Sequence, residues 1–121
     1  EGLEKALEEL KKLRKEFDTD LFVPGTAGDG MNVELDKAFR LKDFITMGEL
    51  IAYDALNRNE SCGGHFREEY QTEEGEAKRD DKNFFYVSCW NYQGDDDTAP
   101  QLIKEPLEYE AIKVQTRNYK S

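Results

Sequence analysis

Histidine and cysteine are scarce: the 121 residues contain one histidine, His65, and two cysteines, Cys62 and Cys89. That set is too small for a structural zinc site, which takes four nitrogen or sulfur ligands. It also gives no disulfide framework, so two reduced thiols of an intracellular protein are the simplest reading. Cys62 and His65 lie three apart and could be imagined as a nucleophile and base. Gly63 and Gly64 separate them, however, and such pairs normally meet across a fold. No apolar run approaches the ~18–20 residues of a membrane span, and no apolar core of a signal peptide is present. Basic residues are few as well, 17 against 27 acidic ones, for a net charge of −10. Nucleic-acid binding rests on Lys and Arg neutralising phosphates, so this balance argues against it.

The apolar content is thin. Hydrophobic residues make up 37% and charged residues 36%, with mean hydropathy −0.88. Seven Phe, six Tyr and one Trp nevertheless supply enough bulk for a folded domain with a small core. The length allows one domain or part of one.

Leu3, Leu7, Leu10, Leu13 and Phe17 recur at helical steps and predict a helix over residues 2–17 with a solvated charged opposite face. No capping residue precedes Gly2, as expected of a piece of something longer. The turn-rich stretch Pro24-Gly25-Thr26-Ala27-Gly28-Asp29-Gly30 follows. Its glycine spacing is neither that of a dinucleotide fingerprint nor that of a Walker loop, so it reads as an inter-helix connection. Asn32 is placed to cap a second helix over 32–57, with Glu34 and Asp36 in its first turn. Leu35, Phe39, Leu41, Phe44, Ile45, Met47, Leu50 and Ile51 spread its apolar positions beyond the ~100° stripe of a surface helix. Helix one covers one flank only; another element, or a second copy of the chain, must cover the rest.

Beyond Arg58 a polar, glycine-broken segment leads into an acidic loop. Phe84–Tyr92 (FFYVSCWNY) has strand character, and a second strand is expected over 107–115. Asp95, Asp96 and Asp97 lack the spacing of a calcium loop and read as a solvated charge run. The organisation expected is thus a helical portion over 1–60 and an extended tail over 61–121.

One stretch resembles a known family. Met31-Asn32-Val33-Glu34-Leu35 opens the second helix and Asp54-Ala55-Leu56-Asn57-Arg58-Asn59-Glu60-Ser61 follows its end. Then come Gly63-Gly64-His65-Phe66-Arg67-Glu68, Thr72-Glu73-Glu74-Gly75-Glu76-Ala77 and Arg79-Asp80-Asp81. These are similar to the C-terminal region of the flavoprotein subunit of succinate dehydrogenase and fumarate reductase, in its Bacteroidetes-type form. Cys62 stands where the commonest pattern has Arg, and Gly64 where it has Ala. The resemblance implies a mainly α fragment: a helical hairpin from a three-helix, spectrin-repeat-like bundle whose first helix is missing, then a loop-rich tail with a small β-hairpin.

It further implies a parent enzyme that interconverts succinate and fumarate on FAD. That parent passes electrons to an iron–sulfur subunit and sits on a membrane anchor at the cytoplasmic side of a bacterial inner membrane. The family's flavin-binding and proton-shuttling residues match no position here, so the chain itself is expected to bind no FAD and to be non-catalytic. Glu60, Ser61, His65 and Arg67 are the candidate contacts to the upstream flavin-binding and capping domains. The plainer alternative for His65 and Arg67 is capping the free carbonyls of the second helix. The competing reading of the whole is a stand-alone acidic helical protein-interaction module that offers its uncovered apolar face to a partner helix. Self-association of the fragment, with the second helix's spare face buried between copies or by a swapped helix, is also expected.

Overall fold

The structure, a computed structural model, describes residues 1–26 and 28–116. Its elements are α1 (Gly2–Asp20), α2 (Val33–Asn57), a one-turn helix α3 (Asp81–Phe84), and strands β1 (Tyr86–Asn91) and β2 (Gln101–Pro106). They form two units, Glu1–Asn57 and Arg58–Ser121. The architecture is mainly helical with one small antiparallel hairpin, as the sequence predicts.

In the first unit α1 and α2 pack as a pair. The α1 face turned to α2 holds Leu3, Leu7, Leu10, Arg14 and Phe17, all half-buried. Leu13, expected in that stripe, is exposed. The steps of four, three, four and three that keep one face toward a neighbour select Arg14 instead. Arg14 makes this tolerable by donating from Nη1 to Glu49 Oε2 on α2 at 3.1 Å, with both side chains largely covered. On α2 the buried positions are Ala38, Ile45 and Ala52, one heptad apart. Small residues there let the helices approach closely, and a Cβ on Gly48 would lie 3.6 Å from Leu10 Cδ2.

Asn32 caps α2 as expected: its Oδ1 accepts from Leu35 N at 3.1 Å, and its Nδ2 donates to Pro24 O at 2.9 Å. At the other end Asn57 Nδ2 returns to Tyr53 O at 2.8 Å and satisfies a last-turn carbonyl. No described helix is long and apolar enough to cross a membrane.

In the second unit β1 and β2 pair from Tyr86 opposite Pro106 to Asn91 opposite Gln101. The second strand therefore lies at 101–106, not at 107–115. Residues 107–115 have a strand-like composition, but after Pro106 the chain leaves the ladder. It returns across the start of β1 through Leu107 N on Phe85 O (3.2 Å) and an edge contact between Phe85 and Tyr109. Tyr86, Ser88 and Trp90 alternate inward, whereas Val87, Cys89 and Asn91 are exposed.

Candidate functional site

In the second unit a dense set of side-chain contacts surrounds Arg58, Glu60, Ser61 and His65. Arg58 reaches Phe84 at the end of α3 and the inward-facing Tyr86 and Ser88 of β1. Its Nη1 donates to Phe84 O at 3.0 Å, and its Nη2 to Tyr86 O at 3.2 Å and Ser88 Oγ at 3.3 Å. The guanidinium also lies over the Tyr86 ring, 5.2 Å from its centre, and 5.8 Å from that of Phe84. A planar, forked cation matches such a set of carbonyls and rings; a lysine point charge does not.

Glu60 neutralises this cation from the buried side. Its Oε1 accepts from Arg58 Nη1 at 2.8 Å and its Oε2 from the Asp80 amide at 2.8 Å, which ties the chain at 60 to the entry of α3. Ser61 is fully buried. Its amide donates to Lys78 O (2.9 Å), while its hydroxyl accepts from Arg67 N (2.8 Å) and donates to Arg67 O (3.2 Å). A single hydroxyl thus closes both main-chain groups of Arg67, which a larger or apolar side chain could not do.

Between Ser61 and Arg67 the chain reverses. Cys62 N donates to His65 O at 2.8 Å and His65 N to Cys62 O at 3.1 Å, around a two-residue turn. Gly63 holds φ +59 there, a left-handed conformation that disfavours any side chain. Gly64 has no positive φ and open space where a Cβ would stand. His65 Nε2 lies 3.0 Å from Arg58 O. A carbonyl only accepts, so the proton sits on Nε2 and the ring is committed to this bond.

The capping expected of His65 and Arg67 takes another form. His65 reaches the first carbonyl beyond α2, and Arg67 Nη1 donates to Asn59 Oδ1 at 2.8 Å. The Arg67 guanidinium also covers the Tyr70 ring at 5.1 Å. Glu69 is held below the usual carboxylate range by its own backbone amide and then by Arg67.

The four residues singled out in the sequence, Glu60, Ser61, His65 and Arg67, are therefore gathered in one cluster, with the first two at its buried centre. Arg58, which joins most of it together, was not among them. Its partners Phe84, Tyr86 and Ser88 stand almost thirty residues later in the chain, so no local motif marked it.

Other candidate chemistry falls elsewhere. The glycine loop at 25–30 follows a helix rather than a strand, and extra atoms on Gly25, Gly28 or Gly30 would meet nothing. Asp95 spends its carboxylate on Thr98 and the Asp97 amide, and among the described residues no group of His, Cys, Asp or Glu is arranged to hold a metal ion.

The described residues thus form a helix pair and a polar unit stapled around a half-buried arginine and a buried carboxylate. The sequence matches the family described as the fumarate reductase flavoprotein C-terminus over residues 1–119, and the chain belongs to that family. A 70-residue stretch is also 33% identical to an uncharacterised FAD-dependent oxidoreductase of Methanocaldococcus jannaschii. The aligned stretch covers 58% of this chain and 12% of that relative, so the chain corresponds to a small part of it.

Proposed function

We propose that this chain is the C-terminal structural region of an FAD-dependent subunit that interconverts succinate and fumarate in respiratory electron transfer. On this reading FAD and the catalytic residues belong to the upstream part of the subunit. The chain itself performs no chemistry; it packs against the flavin-binding and capping domains. The complex includes an iron–sulfur subunit and a membrane anchor on the cytoplasmic side of a bacterial membrane.

Exposed apolar surface supports this reading beside family membership: Phe22, Met31, Phe39, Phe44, Ile51 and Ile112 are all mostly open.

The buried Arg58–Glu60–Ser61 group fixes the path of the Cys62–Arg67 turn. We assign its outer edge, at His65 and Arg67, as the contact with the upstream domains. The interaction-module reading accounts for the open helix face but not for this cluster, whose sequence pattern is the family's. The test is the intact flavoprotein that contains this chain. It should carry FAD and oxidise succinate with an artificial acceptor, and Glu60→Ala should lower its flavin content. A flavoprotein inert toward succinate and fumarate, yet active on another reductant, would refute the assignment.

A further inference from the structure

We propose that Asp29–Gly30, in the connection between α1 and α2, is a self-modification site at which the aspartate passes through a cyclic imide to isoaspartate. The product is a methyl acceptor for enzymes that recognise isoaspartyl carboxylates. The ring closes when the amide nitrogen of the following residue attacks the aspartyl side-chain carbon. Closure therefore needs an unshielded nitrogen, an amide held by no acceptor and a main chain outside regular structure. Of the 121 residues, Asp29 alone among the aspartates and asparagines is followed by glycine. Glycine has no Cβ to shield its nitrogen, and it gives the main chain the freedom that closure requires.

The structure meets the other two conditions at the same place. Asp29 and Gly30 are both exposed and lie outside helix and strand. Gly30 accepts from the Thr26 hydroxyl at 3.4 Å through its carbonyl, but among the described residues its amide has no acceptor and the Asp29 carboxylate no donor. Other aspartates are held. Asp18, Asp36, Asp43 and Asp54 sit within α1 and α2, where the next amide belongs to the helical ladder. The amides that follow Asp96 and Asp97 both donate to Asp95 Oδ1, at 3.0 and 2.7 Å. In the step itself a bond forms between Gly30 N and Asp29 Cγ, and the amide proton leaves with the carboxyl hydroxyl as water; the two groups are already neighbours, so the reaction is intramolecular. Water then opens the imide. Attack at Cγ restores aspartate, whereas attack at the main-chain carbonyl leaves isoaspartate, with a free α-carboxylate and a main chain that runs through the side-chain methylene. The connection, tied by Asn32 Nδ2 to Pro24 O at 2.9 Å, is thereby one carbon longer.

The 121-residue chain, incubated at physiological temperature for increasing times, is then treated with a purified isoaspartyl carboxyl methyltransferase and a radiolabelled methyl donor, and the label is located by peptide mapping. Label should rise with incubation time and map to the peptide that contains Asp29. It should accumulate faster in mildly acidic than in mildly basic buffer, because the carboxylic acid, not the carboxylate, loses the hydroxyl. Gly30 has no positive φ and open space where a Cβ would stand, so Gly30→Val fits the fold while its branched side chain shields the nitrogen. That variant should lose label severalfold, and Asp29→Glu, which would have to close a six-membered ring, should lose it altogether. A chain that stays unlabelled after prolonged incubation, label that maps elsewhere, or label unchanged in either variant would overturn the proposal. None of these outcomes touches the succinate–fumarate reading, which rests on turnover by the intact flavoprotein.

Discussion

Replacing Glu60 is the sharpest perturbation of the second unit. Glu60 is 3% exposed, and its two oxygens hold Arg58 Nη1 and the Asp80 amide, each at 2.8 Å. Glu60→Ala strands both donors. An orphaned buried amide costs about 1–3 kcal/mol, and breaking a buried ion pair on one side about 3–5 kcal/mol. The second figure must be discounted, because the Arg58 side chain is 18% exposed and keeps Phe84 O, Tyr86 O and Ser88 Oγ. The expected net loss is about 3 kcal/mol, or on the order of 15 °C in the melting temperature of a unit this small. Glu60→Gln keeps the shape and one carbonyl oxygen but turns an amide group toward a donor, so about 1–2 kcal/mol is expected. The single tryptophan, Trp90, lies on β1, and its fluorescence follows this unit during thermal or urea unfolding. A Glu60→Ala loss below ~0.5 kcal/mol, or equal losses for Ala and Gln, would refute the staple, since both contradict a buried charge with two bound donors.

The turn and the caps give further expectations. Gly63→Ala should cost about 1 kcal/mol because of its positive φ, whereas Gly64→Ala should be neutral or slightly stabilising, both read by Trp90 fluorescence. Gly48→Ala should stabilise the helix pair by about 0.5–1 kcal/mol in circular-dichroism melts, since its Cβ would meet Leu10 at ordinary contact distance. Asn32→Ala should cost the same pair about 1 kcal/mol through loss of the cap on Leu35 N. The Asp95 carboxyl is held below its ordinary range by the Thr98 hydroxyl and amide and the Asp97 amide. Its depressed folded value means that the turn gains stability above the unfolded Asp range and loses it as pH falls through the folded value. Carbon-detected NMR titration should find Asp95 low, and Thr98→Val should move it up toward the usual value; an unchanged titration would contradict the hydroxyl's role.

How legible each feature was depends on how local its cause is. The course of α2 follows from periodicity and from Asn32, both written in a few adjacent residues. The apolar excess on α2 was equally visible, because a stripe wider than one neighbour can cover shows in the spacing alone. Arg14 was harder to place: Leu13 is the more hydrophobic choice, and the partner Glu49 that makes a half-buried arginine acceptable lies on the facing helix. The second strand was misplaced because Gln101–Pro106 is short, carries Lys104 and Glu105 and ends in proline. Ile112 and Val114 have better strand propensity but pair with no strand among the described residues, and pairing rather than propensity makes a strand. Motif resemblance located the Glu60–Arg67 segment, yet the role of Arg58 as its hub depends on β1, almost thirty residues later in the chain.

On the proposed function these residues support a dicarboxylate flavoenzyme without themselves catalysing. Fumarate-dependent oxidation of a reduced viologen dye tests it most directly, measured side by side for the intact flavoprotein and for the purified 121-residue chain supplied with FAD. Turnover is expected from the first and none from the second. Turnover by the isolated chain, or an intact flavoprotein that leaves fumarate and succinate untouched, would contradict it.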